Sequence, residues 1–245
     1  MVSWAMITNK GERTHNEDMI GQAEKNGAYC FVLADGLGGH GKGEIASQLA
    51  VQTVLSDFQK EWENAEIFME NAFEHVQTVI LEEQEKNNCK NEMKTTIVCL
   101  VIWNEGIQWG FCGDSRLYYF YKKKLKCRTL DHSVPQMLVL SKQLKEKDIR
   151  FHEDRNRLLR VMGMESDRKI YEVEEPVKRL GRQQYLLCSD GYWEYVTEKE
   201  MTKFLKNSSS PQEWLDRMTE KVIETGTGKN MDNFSAIAIW VDTDK

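Results

Sequence analysis

Hydrophobic residues along the chain follow two periods, one typical of strands and one typical of amphipathic helices. Short stretches in which apolar residues alternate or run continuously predict strands. These stretches are Trp4–Thr8, Tyr29–Ala34, Thr95–Trp103, Ile107–Cys112, Leu117–Tyr121, Leu125–Leu130, Tyr171–Val177, Tyr185–Cys188 and Phe234–Val241. Apolar residues at spacings of three and four predict helices. These helices are Glu44–Trp62, Ile67–Glu85, Met201–Leu205 and Glu213–Ile223.

The order of these elements predicts an α+β protein in which helices pack on sheets. The section from Thr95 to Leu130 has no helical pattern, and two tight turns interrupt it, so we expect one meander of antiparallel strands there. The absence of internal repeats or a composition break favours a single domain over residues 1–245. The polar stretch Ser141–Arg160 is expected to be a mobile connection or lid outside the core.

Charge and cysteine content narrow the class of protein. The 33 basic and 39 acidic residues give a net charge of −6, which argues against a partner that is a nucleic acid or an anionic membrane. The six cysteines form no CxxC pair, which favours a reducing compartment. With no signal-peptide pattern, and with Ile97–Trp103 as the longest apolar stretch, we expect a cytoplasmic protein.

Carboxylate residues adjoin the ends of several predicted strands. The residues concerned are Glu17, Asp18, Asp35, Asp114, Asp190 and Asp232. Because Asp-Gly is a common hairpin pair, any one of these positions alone is more typical of a turn than of a metal ligand. If the side chains converge, their mutual repulsion favours a bound cation, and Mg²⁺ or Mn²⁺ prefers such oxygen ligands. Sequence alone leaves their convergence open.

A glycine-rich segment, residues 35–43, resembles two nucleotide-binding motifs. From Gly36 it fits the dinucleotide pattern G-x-G-x-x-G, and it nearly fits a phosphate-binding loop. The phosphate loop requires a hydroxyl where Gly43 stands, and the dinucleotide unit requires a second strand where more helix is predicted. A nucleotide-binding protein built on this glycine-rich segment therefore remains an alternative hypothesis for the function, but the segment does not favour it.

A series of short motifs runs through nearly the whole chain. They are Arg13-x-x-Asn16-Glu17-Asp18, Asp35-Gly36-Leu37-Gly38-Gly39-His40-x-x-Gly43-Glu44-x-Ala46-Ser47, Thr95-Thr96, Gly113-Asp114-Ser115-Arg116, Asp131-His132-Ser133, Arg155-Asn156, Met162-Gly163, Cys188-Ser189-Asp190-Gly191 and Asp232-Asn233-Phe234-Ser235. In this order they resemble the metal-dependent protein phosphatases of the type 2C family, in their bacterial form. The resemblance implies a four-layer αββα sandwich of two antiparallel sheets between helices. It also implies a metal site in a cleft at one end and a flap-like segment at about residues 134–165.

The resemblance also assigns roles to individual residues. It implies that Asp35, Asp190 and Asp232 bind a first Mg²⁺ or Mn²⁺ ion. Asp35 and the Gly36 carbonyl would bind a second ion, helped by Glu17 and Asp18 directly or through water. Asp114 would join Asp190 at a third ion, and Arg13 would bind the phosphate.

The activity implied is hydrolysis of phosphoserine and phosphothreonine in proteins by a metal-activated water. His40 is the candidate proton donor, with a helix-supporting role as the alternative, and His132 is expected to order a turn. We expect a monomer that acts on phosphorylated proteins, a cognate kinase or its targets, with no nucleic-acid or membrane partner. The alternative is a catalytically silent relative that binds phosphoproteins, although the retention of Asp35, Asp190, Asp232 and Arg13 favours the enzyme.

Overall fold

The structure, a computed structural model, describes residues 1–37, 42–62, 64–90 and 92–243. The β-strands within these residues are β1 Val2–Asn9, β2 Asp18–Lys25, β3 Ala28–Leu37, β4 Lys94–Thr95, β5 Ile97–Ile102, β6 Gly106–Cys112, β7 Arg116–Tyr121, β8 Lys124–Arg128, β9 Glu172–Val173, β10 Val177–Lys178, β11 Arg182–Cys188 and β12 Phe234–Asp242. The α-helices are α1 Lys42–Phe58, α2 Ala65–Lys86, α3 Val134–Leu140, α4 Asp190–Trp193, α5 Glu198–Lys206 and α6 Pro211–Gly226, and a 3₁₀ helix spans Glu146–Phe151.

The strands form two antiparallel sheets. The first, with five strands, has the order β1-β12-β11-β7-β8. The second has the order β10-β6-β5-β3-β2, with β4 paired to β3 and β9 paired to β6. In each sheet, antiparallel neighbours place the end of one strand beside the start of the next. Residues at strand ends of both sheets, such as Asp35 and Asp190, come together at one end of the sandwich.

Alternation along the strands creates three hydrophobic layers, and these produce the predicted αββα sandwich. Side chains such as Phe31 and Leu33 of β3 point between the sheets and pack with Leu187 and Ile237 of the first sheet. The alternate residues of β3 face outward, where they pack against α1 and α2. The outer face of the first sheet is covered by α4, α5 and α6, with Trp214 fully buried there.

The predicted single meander is wrong. Strands β5 and β6 pair in the second sheet, whereas β7 and β8 pair in the first, so the chain changes sheets at Gly113–Ser115. Gly113 has a φ of +102°, a conformation that L side chains rarely adopt, and this permits the sharp change of direction. Local alternation is the same in both sheets, so it carries no information about which sheet a strand joins.

Two predicted strand boundaries also differ from the structure. Strand β3 continues past Ala34 to Leu37 because Gly36 and Leu37 pair with β4. The predicted strand Tyr171–Val177 is instead the two short strands β9 and β10, both paired to β6.

The flap-like segment is joined to the body of the protein. Ile149, in the 3₁₀ helix, packs in the outer core of the first sheet, and Arg150 beside it is also buried. The prediction that the polar stretch lies outside the core is therefore wrong for these two residues. Farther along, Leu158 bridges to Ser133, and Met162 bridges to Thr95. No helix in the described part of the chain has the length and apolar composition of a membrane span.

Candidate metal centre

A cavity of about 550 Å³ opens at the end of the sandwich where the loops of both sheets meet. The predicted site residues that line it are Arg13, Glu17, Asp35, Gly36, Asp114, Asp190 and Asp232. Thr14, His15, Leu37, Glu44, Asn156, Leu158 and Asn233, which were not predicted as site residues, complete the lining. Asp18 is buried beside this cavity, and His40 lies outside the described residues. The fold thus brings together acidic residues from both sheets, from the crossover between them and from α1.

Asp35 lies near the end of β3, where the neighbouring threonines hold its backbone. Its N–H donates to Thr96 Oγ1 at 3.1 Å, and its carbonyl accepts from Thr95 Oγ1 at 2.8 Å and from the Thr96 N–H at 2.8 Å. Burial, and then the carboxylates of Asp18 and Asp190, raise the pKa of Asp35 well above its ordinary value. A deprotonated Asp35 thus requires positive charge nearby.

Asp18 lies directly opposite Asp35 in the β2–β3 register. Its Oδ2 accepts from Ser189 Oγ at 2.8 Å, whereas its buried Oδ1 has no hydrogen-bond partner among the described residues. Burial raises the pKa of Asp18 to about 7, and the charges of Asp232 and Glu17 add to this effect. An unpartnered buried carboxylate oxygen of this kind is suited to a cation or an ordered water.

The crossover between the sheets presents Asp114. Gly113, the residue before it, donates its N–H to His132 Nδ1 at 3.2 Å, and the Gly113 carbonyl accepts from the His132 N–H at 2.8 Å. On the other side, Ser115 Oγ is 2.7 Å from Thr96 Oγ1. Burial, followed by the charge of Asp131, raises the pKa of Asp114 to about 7. The contacts agree with the expected turn-ordering role of His132.

Asp190 and Asp232 reach the cavity from two adjacent strands of the first sheet. Asp190 is the first residue of α4, directly after β11, and Asp232 precedes β12. Burial, and then the carboxylates of Asp114 and Glu194, raise the pKa of Asp190 well above its ordinary value. Asp232 Oδ1 and Oδ2 each accept a hydrogen bond of 3.1 Å from the Arg13 guanidinium.

Asn233 fixes the loop that carries Arg13, a role that the sequence did not reveal. Its side-chain N–H groups donate to the carbonyls of Lys10 and His15, both at 2.9 Å, and its Oδ1 accepts from the Glu17 N–H at 2.8 Å. Asn233 stands in the Asp232-Asn233 motif, but its contacts are to backbone groups more than 200 positions away. No periodic pattern could show such contacts.

The donor set suits a hard divalent cation. It consists of carboxylate oxygens and the Gly36 carbonyl, which are the ligand types that Mg²⁺ and Mn²⁺ prefer. Within the described residues, however, no three acidic, histidine or cysteine side chains are close enough to form a ready-made cage for one ion. The carboxylates of Glu17, Asp35, Asp114, Asp190 and Asp232 instead line one shared cavity, and without a cation their charges repel one another.

The chain is similar to known protein phosphatases over most of its length. The family described as protein phosphatase 2C matches residues 9–232. The serine/threonine phosphatase stp of Listeria welshimeri is 32% identical over 232 residues, which cover 91% of each chain. Among solved structures, the serine/threonine phosphatase Stp1 from Staphylococcus aureus superposes with a TM-score of 0.86 at 25% identity, covering 100% of this chain and 96% of that one.

A further solved structure concerns the metal. The catalytic domain of the serine/threonine protein phosphatase PstP, in complex with two manganese ions, has a TM-score of 0.83 at 24% identity and covers 98% of this chain and 99% of that one. At this identity the similarity shows a common fold.

Proposed function

The chain belongs to the protein phosphatase 2C family, and we propose that it removes phosphate from phosphoserine and phosphothreonine in proteins with the help of divalent metal ions. One observation carries the proposal. A single cavity gathers acidic residues from both sheets and from the crossover between them, and Arg13 lies at the same cavity. Because a phosphate monoester is a dianion, acidic residues alone would repel it, whereas with bound cations the same residues form a phosphate site.

We propose that Asp35, Asp190 and Asp232 hold a first ion. Asp35 and the Gly36 carbonyl would hold a second ion, with Glu17 and the buried Asp18 nearby. Asp114, with Asp190, would hold a third ion. Bound ions of this type lower the pKa of a coordinated water and supply hydroxide near neutral pH.

Arg13 supplies the phosphate contact in this proposal. Its guanidinium presents two parallel N–H groups, as its bidentate contact with Asp232 demonstrates. The same fork matches two oxygens of a phosphate and would orient the phosphorus for attack. The leaving alkoxide requires a proton, and His40 stays the proposed donor.

The biological setting follows from this chemistry as a proposal. The substrates would be phosphorylated proteins, a cognate kinase or the targets of that kinase. We propose a monomer that works in the cytoplasm, and the six free cysteines, five of them buried, support a reducing environment.

Hydrolysis of a phosphothreonine peptide provides the test. We expect turnover with Mn²⁺ or Mg²⁺ and its loss on addition of a chelator. Asp190→Asn should abolish turnover because it removes one charge and one ligand while keeping the side-chain size. Asp216→Asn is the matched control because Asp216 is exposed on α6, outside the lining of the cavity.

Phosphate release and direct Mn²⁺ titration by calorimetry should be measured together. Failure of the wild-type chain to hydrolyse the peptide while it binds Mn²⁺ and the phosphopeptide would instead support the silent phosphoprotein-binding alternative. Turnover that survives chelation would contradict metal dependence.

A further inference from the structure

Trp193 contacts the candidate metal centre from the side of the outer core of the first sheet. It is the last residue of α4, three positions after Asp190, and its side chain is buried in the outer core of the first sheet. The indole Nε1–H donates to the backbone carbonyl of Asp114 at 3.0 Å. One side chain thus connects the segment of Asp190 with the crossover that presents Asp114.

The surroundings hold the indole in place. The guanidinium carbon of Arg116 lies 3.5 Å from the centre of the Trp193 ring, and Arg116 in turn makes a bidentate contact with Asp131, at 2.8 and 2.6 Å. From the 3₁₀ helix, Arg150 Nη1 donates to the backbone carbonyl of Trp193 at 2.7 Å. A stacked, buried indole with a fixed backbone has little freedom, so the direction of its N–H is well defined.

The Asp114 carbonyl is one of the points that set the direction of the Asp114 carboxylate. Gly113 on one side is held by His132, and Ser115 on the other side contacts Thr96. The glycine at the start of this turn leaves the backbone free to rotate, so the peptide needs external contacts to fix it. The indole N–H provides such a contact on Asp114 itself.

We propose that Trp193 is a positioning residue for the metal centre and that it acts through Asp114. The inference rests on the proposed function, since it requires that Asp114 contributes to metal binding. Without the indole N–H, the buried carbonyl loses its donor and the crossover relaxes, so the carboxylate is less well directed towards an ion. Trp193 itself touches neither the phosphate nor the ion.

Trp193→Phe and Trp214→Phe form a matched pair for the test. Trp214 is also fully buried, and its indole N–H also donates to a backbone carbonyl, that of Met201, at 3.0 Å. Both variants therefore lose one aromatic ring and one buried hydrogen bond, but only the first loses a contact with the metal centre. Mn²⁺ affinity is measured by calorimetry, and kcat and KM for a phosphothreonine peptide are measured across a range of Mn²⁺ concentrations.

We expect Trp193→Phe to weaken Mn²⁺ binding about tenfold, the lower end of the effect of losing a group that supports a ligand. Saturating Mn²⁺ should restore most of kcat, and Trp214→Phe should leave the Mn²⁺ affinity unchanged. In an Asp114→Asn background, Trp193→Phe should have less than about a twofold further effect, because the residue through which it acts is already changed.

Equal Mn²⁺ affinities of the two Phe variants, or full additivity with Asp114→Asn, would overturn the inference. If wild type neither binds Mn²⁺ nor hydrolyses the peptide, the proposed function fails instead. Should Trp193→Phe not fold, the benzothiophene analogue of tryptophan at position 193 keeps the ring and replaces only the N–H by sulfur. The same loss of Mn²⁺ affinity is expected with that analogue, and an unchanged affinity would again overturn the inference.

Discussion

At the scale of single residues, Arg13 contacts one charged partner, Asp232, and under the proposed function it would also bind the phosphate. Its guanidinium lies at the cavity and binds both oxygens of Asp232, and both side chains are about 40% exposed, at 43% and 39%. An ion pair this exposed contributes little to stability. Exchange of Asp232 for a phosphate would therefore cost little, which suits the phosphate contact proposed for Arg13.

We expect Arg13→Lys to lower kcat/KM for a phosphothreonine peptide by about tenfold to a hundredfold, because lysine keeps the charge but loses the second parallel hydrogen bond. Steady-state kinetics at saturating Mn²⁺ measure this effect. Arg157→Lys, at an exposed arginine of the flap-like segment, is the control and should change kcat/KM by less than about twofold. Equal effects of the two substitutions would contradict the role of Arg13.

The sequence predicted which residues line the candidate site better than it predicted the contacts that hold them there. Of the predicted ligands, Glu17, Asp35, Asp114, Asp190 and Asp232 line one cavity. Their roles came from the order of short motifs, which local residues encode. The supporting contacts of Asn233 and Trp193 run to backbone groups of distant segments, and such contacts leave no trace in hydrophobic periodicity.

At the scale of elements, the contact between Gly36 near the end of β3 and Gly43 at the start of α1 fixes the position of the Gly36 carbonyl. A Cβ atom on Gly36 would lie 2.2 Å from the Gly43 carbonyl oxygen, and one on Gly43 would lie 2.7 Å from the Gly36 carbonyl carbon. The two backbones therefore meet where neither residue has a side chain. This close approach accounts for Gly36 and Gly43 without a nucleotide phosphate, whereas Gly38 and Gly41, the other two glycines of the dinucleotide pattern, lie outside the described residues.

Gly36→Ala should destabilise the protein by about 1–3 kcal/mol, because the new methyl group would clash with backbone atoms, which cannot move without shifting the elements that contain them. It should also weaken Mn²⁺ binding because the Gly36 carbonyl shifts. Gly21→Ala is the control, as its Cβ would meet the side-chain ends of Leu55 and Val51, which can move. Urea unfolding and Mn²⁺ calorimetry on both variants would decide, and a larger loss for Gly21→Ala would refute this account.

Elements were predictable to different degrees for a physical reason. The helices α1, α2 and α6 and the central strands are encoded by neighbouring residues, so apolar spacing located them. The change of sheet at Gly113–Ser115 depends on which distant strands accept β7, and the sequence contains no local signal for that choice. Short edge strands such as β9 and β10 form because β6 offers a partner, and they were merged into one predicted strand for the same reason.

At the scale of the whole molecule, we expect the buried carboxyl groups at and beside the cavity to make stability depend on pH. Burial raises the pKa of Asp18 and of Asp114 from 3.8 to about 7. Between these values the folded chain binds more protons than the unfolded chain, so the free energy of unfolding falls as the pH rises from about 4 to about 7. Mn²⁺ binds the deprotonated carboxylates, so its stabilising effect should grow over the same interval.

Thermal unfolding between about pH 5 and pH 8, with chelator and with Mn²⁺, tests this dependence. In chelator, we expect the melting temperature to fall as the pH rises, and Mn²⁺ should reduce or reverse the fall. Asp18→Asn should make the profile in chelator less steep, because asparagine can still accept from Ser189 but does not titrate, while Asp114 still does. A melting temperature that rises with pH in chelator, and does so equally in both proteins, would disprove the assignment.

The residues proposed to hold the first ion come from different sheets. Asp35 belongs to β3 of one sheet, whereas Asp190 and Asp232 adjoin β11 and β12 of the other. An ion held by these three residues would link the two sheets of the sandwich. Withdrawal of the ion should then loosen this end of the molecule first, and amide hydrogen exchange would become faster in these strand ends than at the opposite end. The concentration of available metal would then set the local stability of this end of the protein as well as its activity.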